Sequence, residues 1–534
     1  MTGFGKIGKE LISRFHDSGK YDICEIGCYG HPKDPRAAMI PWEYYPATPT
    51  DPKLLERYNS SIYGQFGETV FDYVCEKFRP DICLVWRDFW MDSFIDKSPY
   101  RKYFKWIWCP TVDGEPQKIE WLDEYSRVDK LLTYSRYGKD LLEEQSYGKI
   151  RPVGILAPGV NHEIFKPLDV SKEDLRNSLG LKSDIFVVTS VMRNQKRKLF
   201  PDLIRGFTKF LEICGERDPE LANKTFLYLH TSYPDVGYDI SRHILENNLG
   251  HKIITTYKCR HQSCGKWFVD YFNGEIQSCK HCGLFSAGMT NTQDGISDQD
   301  LCVIYNISDI YVQYSIAEGF GCPIAEAKSC GIPALAVDYS AMSEQVECDG
   351  CAKIPVQRSF DEAVIETEQE RALPDNDAFA QILYDTIQSN KGKEKAIATI
   401  VRKNVVDNHS FERSYNLLKN IVDSMDIHDR KETWDSGGLI LKVPQRVPEI
   451  RENSQFVNWV FENFFPHRPD WHNSVWKNNF VKGLNCGYID GRNGKQKFDR
   501  NELLKIATTM VNNHNHFMRM LSKDKTPEIL REMI

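Results

Sequence analysis

The sequence predicts an α/β protein built from two successive doubly wound domains, followed by a segment of different character. Three observations carry this: apolar runs alternate with amphipathic stretches, the alternation restarts near residues 159–167, and the composition changes past about residue 425. In the first third, YDICEIGCYG, PDICLVWRDFW, YFKWIWCP, VDKLLTYS and GILAPGV read as strands, with residues 51–79 and 139–145 as helices. In the middle, SDIFVVTSVM, KTFLYLHTS, HKIITTYK, SDIYVQYS and IPALAV continue the pattern, and PDLIRGFTKFLEIC is a clear helix. Near-continuous apolar strands separated by helices are what a parallel sheet covered on both faces requires. Two such sets predict two Rossmann-like domains, residues 1–158 and 159–425, facing a cleft. Residues 426–534 hold Trp434, Trp459, Trp471 and Trp476 and much Asn, His and Lys. There FVNWVFENFF and NELLKIATTMVNNHNHFMRML read as helices and GYIDGRNGKQKF as turn-rich, a mainly helical extension without a chemical signature.

The 534 residues allow about three or four domains. With 41% hydrophobic residues the chain can bury real cores, which excludes disorder and small disulfide scaffolds. The net charge of −7 disfavours, without excluding, a nucleic-acid partner held by bulk electrostatics. The first thirty residues lack an uninterrupted apolar core, and no run of about 18 apolar residues occurs anywhere. The expectation is a cytoplasmic protein without a membrane span, whose 16 cysteines are thiols or metal ligands more than disulfides.

The strongest chemical signal is SDIYVQYSIAEGFGCPIAEAKSCGIPALAVDYSAMSEQV. A strand runs into Glu318, Gly319, Phe320 and Gly321; Pro323 suits the start of a helix, and Gly331 with Pro333 ends it. Free amides of Gly319 to Gly321 and the positive end of that helix make an anion site. Glu318 and Glu326 flank it, and carboxylates beside an anion site make sense if the ligand also carries hydroxyls, as a sugar and a ribose do. An ordinary strand–loop–helix with solvated acids has the same local sequence. A second element is the run Arg193, Asn194, Gln195, Lys196, Arg197, Lys198 after the strand IFVVTSVM, where a doubly wound sheet would hold a diphosphate.

Arg193 followed five residues later by Lys198, and Glu318-x7-Glu326 within EGFGCPIAEA, resemble the retaining glycosyltransferases of family four, which have the GT-B fold of two facing Rossmann-like domains. GVNHEIFKP, YNISDIYVQYS, GIPALAVDYSAMSEQV and VDKLLTYSRYGKDLL agree in the same order, so the resemblance covers roughly residues 1–425. It implies that Arg193 and Lys198 neutralise a nucleoside diphosphate leaving group, that Glu326 holds ribose hydroxyls, and that Glu318 with the amides of Gly319, Phe320 and Gly321 holds the donor sugar and phosphate. The TGFG loop (Thr2, Gly3, Phe4, Gly5) matches the Gly-rich turn on the opposite wall, although family members carry a strand before it and only Met1 precedes Thr2 here. Many relatives place a histidine on the N-terminal domain; the corresponding strand end, IWCPTVDGEP, offers Asp113, whose Asp-Gly pair equally suits a turn. The family typically uses no catalytic divalent metal and retains anomeric configuration.

Cys259-x4-Cys264 and, fourteen residues on, Cys279-x2-Cys282 have the spacing of a four-thiolate zinc site, a structural one because four thiolates leave no open position. The segment between them, GKWFVDYFNGEIQS, reads as a small hairpin turning at Asn273–Gly274, so residues 257–284 form a zinc ribbon inserted in the second domain. Cys348-x2-Cys351 is a lone CxxC: a redox pair, half of an intermolecular site, or chance. Trp86, Trp90, Trp106 and Trp108 sit on or beside strands and read as core or as the lining of an acceptor groove. The reading these features support together is transfer of a sugar from a nucleoside diphosphate-sugar to an acceptor such as a glycan, a protein or modified nucleic acid. The alternative is a nucleic-acid or protein-binding module on the same scaffold, recognising its partner through the ribbon.

Overall fold

The computed structural model describes residues 3–362, 367–430, 434, 444, 447–464, 475–491 and 494–521. The chain divides into two compact units: one of Met1–Leu11, Cys109–Ser126 and Leu131–Asn420, the other of Ile12–Trp108, Arg127–Lys130 and Ile421–Ile534.

The first unit is built on a nine-stranded sheet. Helix α1 (Gly3–Asp17) lends it its first turns. The sheet strands are β1 (Phe186–Val191), β2 (Thr225–His230), β3 (Ile253–Cys259), β4 (Trp267–Tyr271), β5 (Ile276–Ser278), β6 (Phe285–Met289), β7 (Ile310–Gln313), β8 (Ala334–Val337) and β9 (Ala352–Ile354). Six of them, in the order β3-β2-β1-β7-β8-β9, pair in parallel. The strand order therefore runs outward in both directions from the β1/β7 pair, which makes that pair the switch point of a doubly wound sheet. Residues alternate between the two faces, as the two-residue period of a strand dictates. Val188, Leu227, Leu229, Ile253, Ile310, Val312 and Leu335 enter one core, and Val187, Phe226, Tyr228 and Ile254 the other. Both faces are covered, which is why these strands read as unbroken apolar runs.

The first core is closed by a helix pair. Helix α2 (Phe200–Arg217) buries Phe200, Leu203, Ile204, Phe207, Phe210 and Cys214, one helical stripe. The helix Asn376–Asn390, capped by Asp375, buries Phe379, Ala380, Leu383 and Ile387 against it. The crossing is close enough that a Cβ on Gly206 would lie 2.6 Å from Phe379 Cδ1, so only glycine fits there.

The cysteine-bearing insertion grows out of this sheet. β3 pairs with β4 on one edge, Tyr257 opposite Phe268, while on its other edge it pairs first with β2 and then with β6, Tyr257 opposite Met289. β5 pairs with β6. The segment expected to form one hairpin turning at Asn273–Gly274 instead splits: its two halves are the outer strands of two different hairpins, β3–β4 and β5–β6. The reason is burial, since Phe268 and Val269 on β4 reach the two sheet cores only from beside β3.

The second unit carries two short parallel pairs, Cys24–Gly27 with Glu43–Pro46 and Ile82–Val85 with Lys105–Trp108. The helix expected over 51–79 is two helices, Pro52–Ser60 and Glu68–Phe78, separated where Gly67 takes φ +107. The described part of the C-terminal extension belongs to this unit, with helices Asn453–Phe464, Val475–Cys486 and Arg500–Leu521. Phe456, Val460, Phe461, Leu503, Ala507 and Val511 form its core. The stretch read as turn-rich is a hairpin, Tyr488–Gly491 on Gly494–Lys497. Trp434 is buried and stacks on Tyr100 at 5.6 Å, and Trp106 and Trp108 are fully buried, which settles those three as core. Trp471 lies outside the described residues. Among the described residues no helix is long and apolar enough to cross a membrane.

Candidate functional site

The carboxyl ends of β1 and β7 meet at the switch point, and the two sequence motifs emerge there. After β1 a 3-10 turn, Lys196–Lys198, leads into α2; after β7 the chain turns through Ser315 and Glu318 into helix α4 (Cys322–Ser329). Two segments 120 residues apart in sequence thus share one sheet edge.

Glu318 is the hub. Its carboxylate is only 7% exposed and accepts from Lys198 Nζ, from Ser315 Oγ at 2.7 Å and from Gln313 Nε2 at 2.9 Å, all on Oε1. Arg197 Nη1 reaches Oε2 at 3.1 Å. A carboxylate offers about four acceptor sites, so Oε1 is filled and a further hydroxyl would be accepted at Oε2. Burial alone would raise the Glu318 carboxyl, but Lys198 and Arg197 outweigh it and hold the group at about 2. Lys198 is pulled the other way, to about 8, by burial first and by the neighbouring Arg197, against the attraction of Glu318. At neutral pH the pair is ionised and retains a net cation through Arg197.

The glycine loop is pinned from behind by helix α5 (Ser340–Gln345). Glu318 N donates to Ser340 Oγ at 3.0 Å, and Gln345 Nε2 donates to the carbonyl of Phe320. The Phe320 ring is buried edge-on to His409, so this residue holds the loop by its side chain. Gly321 caps α4 with φ +92, a conformation that costs other residues strain. Among the described residues the amides of Gly319, Phe320 and Gly321 have no backbone acceptor. They directly precede the N-terminus of α4, its positive end, an arrangement suited to an anion. Thr111 lies against the loop with a buried hydroxyl that has no partner. A Cβ on Gly319 would come within 2.4 Å of Thr111 Cγ2. Gly319→Ala is therefore expected to cost about 1–3 kcal/mol of stability through overpacking, and Thr111→Ser, which removes that methyl, to recover most of it. Denaturant unfolding of the single and double variants measures this, and additive losses would contradict the contact.

Glu326, 6% exposed, sits in the second turn of α4. It accepts from Tyr305 Oη at 3.0 Å, on helix α3 (Asp298–Asn306), and from Lys6 Nζ at 3.2 Å. Lys6 also pairs with Asp298 at 2.9 Å. Burial would lower the Lys6 ammonium, yet the two carboxylates raise it well above its ordinary value. Lys6 is the residue sequence reasoning missed; the signal was a cation directly after the Gly-rich start. That start also differs from expectation. Gly3, Phe4 and Gly5 are the first turn of α1 rather than a loop, because the periodic Ile7, Leu11 and Phe15 carry helix back to Gly3. Thr2 lies outside the described residues.

Two other candidates are engaged elsewhere. Arg193 forms a two-pronged pair with Asp235, at 2.9 and 3.0 Å, and it is Arg197 that joins Lys198 at Glu318. The resemblance named Arg193 and Lys198 for the diphosphate; the 3-10 turn brings Lys198 together with Arg197, the sixth and fifth residues of the run, to the carboxylate. Asp113 accepts from Arg371 Nη1 at 2.9 Å, and Arg371 is held in turn by Glu362 at 2.7 Å. Arg371 lies on the strand Glu370–Pro374, whose Ala372 N donates to Ile316 O, two residues before Glu318. Neither Asp235 nor Arg371 carries a local sequence signal.

The four cysteines converge. Cys259 and Cys264 flank the β3–β4 turn, Cys279 and Cys282 the β5–β6 turn, and their sulfurs all lie within 4.8 Å of one another. Cys259 Sγ is 3.7 Å from Cys282 Sγ, and Cys264 Sγ is 3.9 Å from Cys279 Sγ. A tetrahedron with metal–sulfur bonds of about 2.3 Å has edges of about 3.8 Å, so the donor set fits one metal ion.

The family model described as glycosyl transferases group 1 matches residues 288–378, the stretch holding Glu318, the glycine loop and Glu326. Sucrose-phosphate synthase from Thermosynechococcus elongatus is similar in structure with a TM-score of 0.50 and 15% identity, over 75% of this chain and 98% of that one. The Anabaena protein HepE in complex with UDP is similar with a TM-score of 0.50 and 13% identity, over 76% of this chain and all of that one, 100%. At such identities the likeness is one of fold, and the fold is that of the GT-B glycosyltransferases. No curated protein matches the chain in sequence.

Proposed function

We propose that this chain is a retaining glycosyltransferase that transfers a sugar from a nucleoside diphosphate-sugar to an acceptor. The observation that carries the reading is the meeting of Lys198, Arg197 and Glu318 with the open amides of Gly319–Gly321 at the switch point, inside the group 1 match for the second motif. Arg197 and Lys198 would neutralise the diphosphate as the glycosidic bond breaks, and the loop amides with the end of α4 would hold its oxygens. Glu326 would take ribose hydroxyls by exchanging its bond to Lys6, and Glu318 Oε2 would accept a sugar hydroxyl. Arg193 would join the diphosphate by leaving Asp235. Charge stabilisation by these side chains stands where a divalent cation would otherwise act, so no catalytic metal is expected. Residues 1–158 would supply the acceptor side, with Asp113, positioned by Arg371, facing the acceptor, and residues 159–425 the nucleotide side.

Thermal shift with UDP-, GDP- and ADP-sugars tests this, UDP-sugars first because the Anabaena neighbour is a UDP complex. One donor at about 100 times its Kd is expected to stabilise the protein by about 2.7 kcal/mol, and Glu326→Ala to abolish the shift. If no nucleotide sugar shifts the parent, or Glu326→Ala responds like the parent, the reading fails.

A further inference from the structure

The described cysteines outside the four-cysteine cluster include two close pairs. Cys302 and Cys330 lie 3.9 Å apart and are both buried, out of reach of a solution reagent. Cys348 and Cys351 differ in each respect that matters. They flank the tight turn Cys348–Asp349–Gly350–Cys351, closed by a hydrogen bond from Cys351 N to Cys348 O at 3.1 Å. Gly350 supplies φ +84 at the third position, the backbone that such a turn demands. The turn keeps the two Cα atoms within about 7 Å, inside the range a disulfide tolerates, and the sulfurs are already 3.5 Å apart. Both cysteines are half-buried, and Glu347 and Asp349 beside them are exposed, so a small thiol reagent can reach the pair.

We propose that Cys348 and Cys351 form a reversible dithiol–disulfide site, oxidised by small disulfides such as oxidised glutathione. The Cys348 thiolate attacks one glutathione sulfur, breaking the glutathione S–S bond and releasing one glutathione thiolate. Cys351 then loses its proton and attacks the Cys348 sulfur, expelling the second glutathione. Two thiol protons and two electrons leave the protein, and one oxidised glutathione becomes two reduced ones. The asymmetry of the pair assigns the order. Cys348 is brought down to about 6, first by its hydrogen bond with Cys351 and also by the Lys328 ammonium, against the effect of burial. Cys351 stays well above the ordinary thiol range, raised by Cys348 and by burial, and its sulfur accepts from Ala334 N at 3.3 Å. Cys348 is thus the attacking sulfur and Cys351 the resolving one. The site lies at the end of α5, the helix whose Ser340 and Gln345 hold the glycine loop.

Folded, full-length protein equilibrated in glutathione buffers of graded ratio, alkylated and digested, tests the assignment by peptide mass. The peptide carrying both residues is expected to lose two hydrogens as oxidised glutathione dominates and to regain them fully with dithiothreitol, while Cys302 and Cys330 stay reduced. Cys351→Ser is expected to trap one glutathione on Cys348, and Cys348→Ser to suppress adduct formation at least about tenfold in rate. A peptide that stays dithiol in oxidised glutathione, a parent that stops at the mixed disulfide, or equal trapping by both variants would overturn the proposal.

Discussion

Glu318→Ala is expected to lower stability by about 3–5 kcal/mol, because it leaves Lys198 buried and unpaired. On the proposed function, transfer should fall by about 10²- to 10³-fold as the charge arrangement that would receive a diphosphate is lost. Glu318→Gln separates the two effects. It keeps the shape and an acceptor for Ser315, so the stability loss should be smaller while the transfer loss remains large. The pH profile carries the sharper test. Lys198, at about 8, lies below its ordinary value of 10.5, so it loses its proton as pH rises through 8. Between about 8 and 10.5 the unfolded chain binds more protons at this group, and its contribution to stability therefore increases with pH. A fall of kcat/KM above pH 8, up to tenfold per unit, is then loss of the Lys198 cation and not unfolding through this residue. Since Glu318 is what holds the ammonium up, Glu318→Gln should move that alkaline limb to lower pH. Lys198→Arg, which keeps its charge, should flatten it. An alkaline limb at the same pH in parent and Glu318→Gln would refute the pairing. Glu318 at about 2 lies below the ordinary carboxyl. Its contribution to stability is complete above about 4.5 and is lost as pH falls toward 2.

The second large effect concerns the cysteine cluster. One zinc ion per chain is expected to survive dialysis and to be lost on chelation or in the Cys279→Ser/Cys282→Ser variant. The consequence should be global within the first unit. Cys259, Cys279, Phe268, Ala287 and Met289 share a core with α2 and the central strands, and β3 both carries Cys259 of the cluster and belongs to the parallel sheet. Removing the ion leaves thiolates crowded at the sheet edge and forfeits its binding energy as folding energy. A loss of at least about 3 kcal/mol, or roughly 4–5 °C in Tm for a unit of about 320 residues, should follow. Metal-free protein with an unchanged Tm, prepared with zinc available, would show that the cluster is a set of free thiols.

How much of this was legible beforehand follows from the range of each interaction. The Gly-rich loop, the short α4 with Pro323 near its start, and the apolar strands β1, β2, β3, β7 and β8 are local patterns. They need only backbone preferences and a two- or three-to-four-residue period, both of which sequence displays directly. Cysteine spacing is local too, which is why the four converging cysteines were identifiable. The C-terminal hairpin at Tyr488–Gly491 was not, because the glycines and lysines in its strands mask the alternation that marks a strand.

Sequence by itself determined the α/β class, the strand that leads to Glu318, the carboxylate spacing to Glu326 and the set of four cysteines that could hold a metal ion. Tertiary structure alone decided who pairs with whom. Glu318 and Lys198 are 120 residues apart, Glu326 and Lys6 are 320 apart, and Arg371 and Asp113 are 258 apart. It also decided that β4 leaves its expected partner for β3. Hydrophobic period and turn chemistry act over a few residues. That Arg197 meets Glu318 while Arg193 meets Asp235 depends on carboxylates delivered to the same sheet edge by distant segments, and that delivery is the work of the folded sheet.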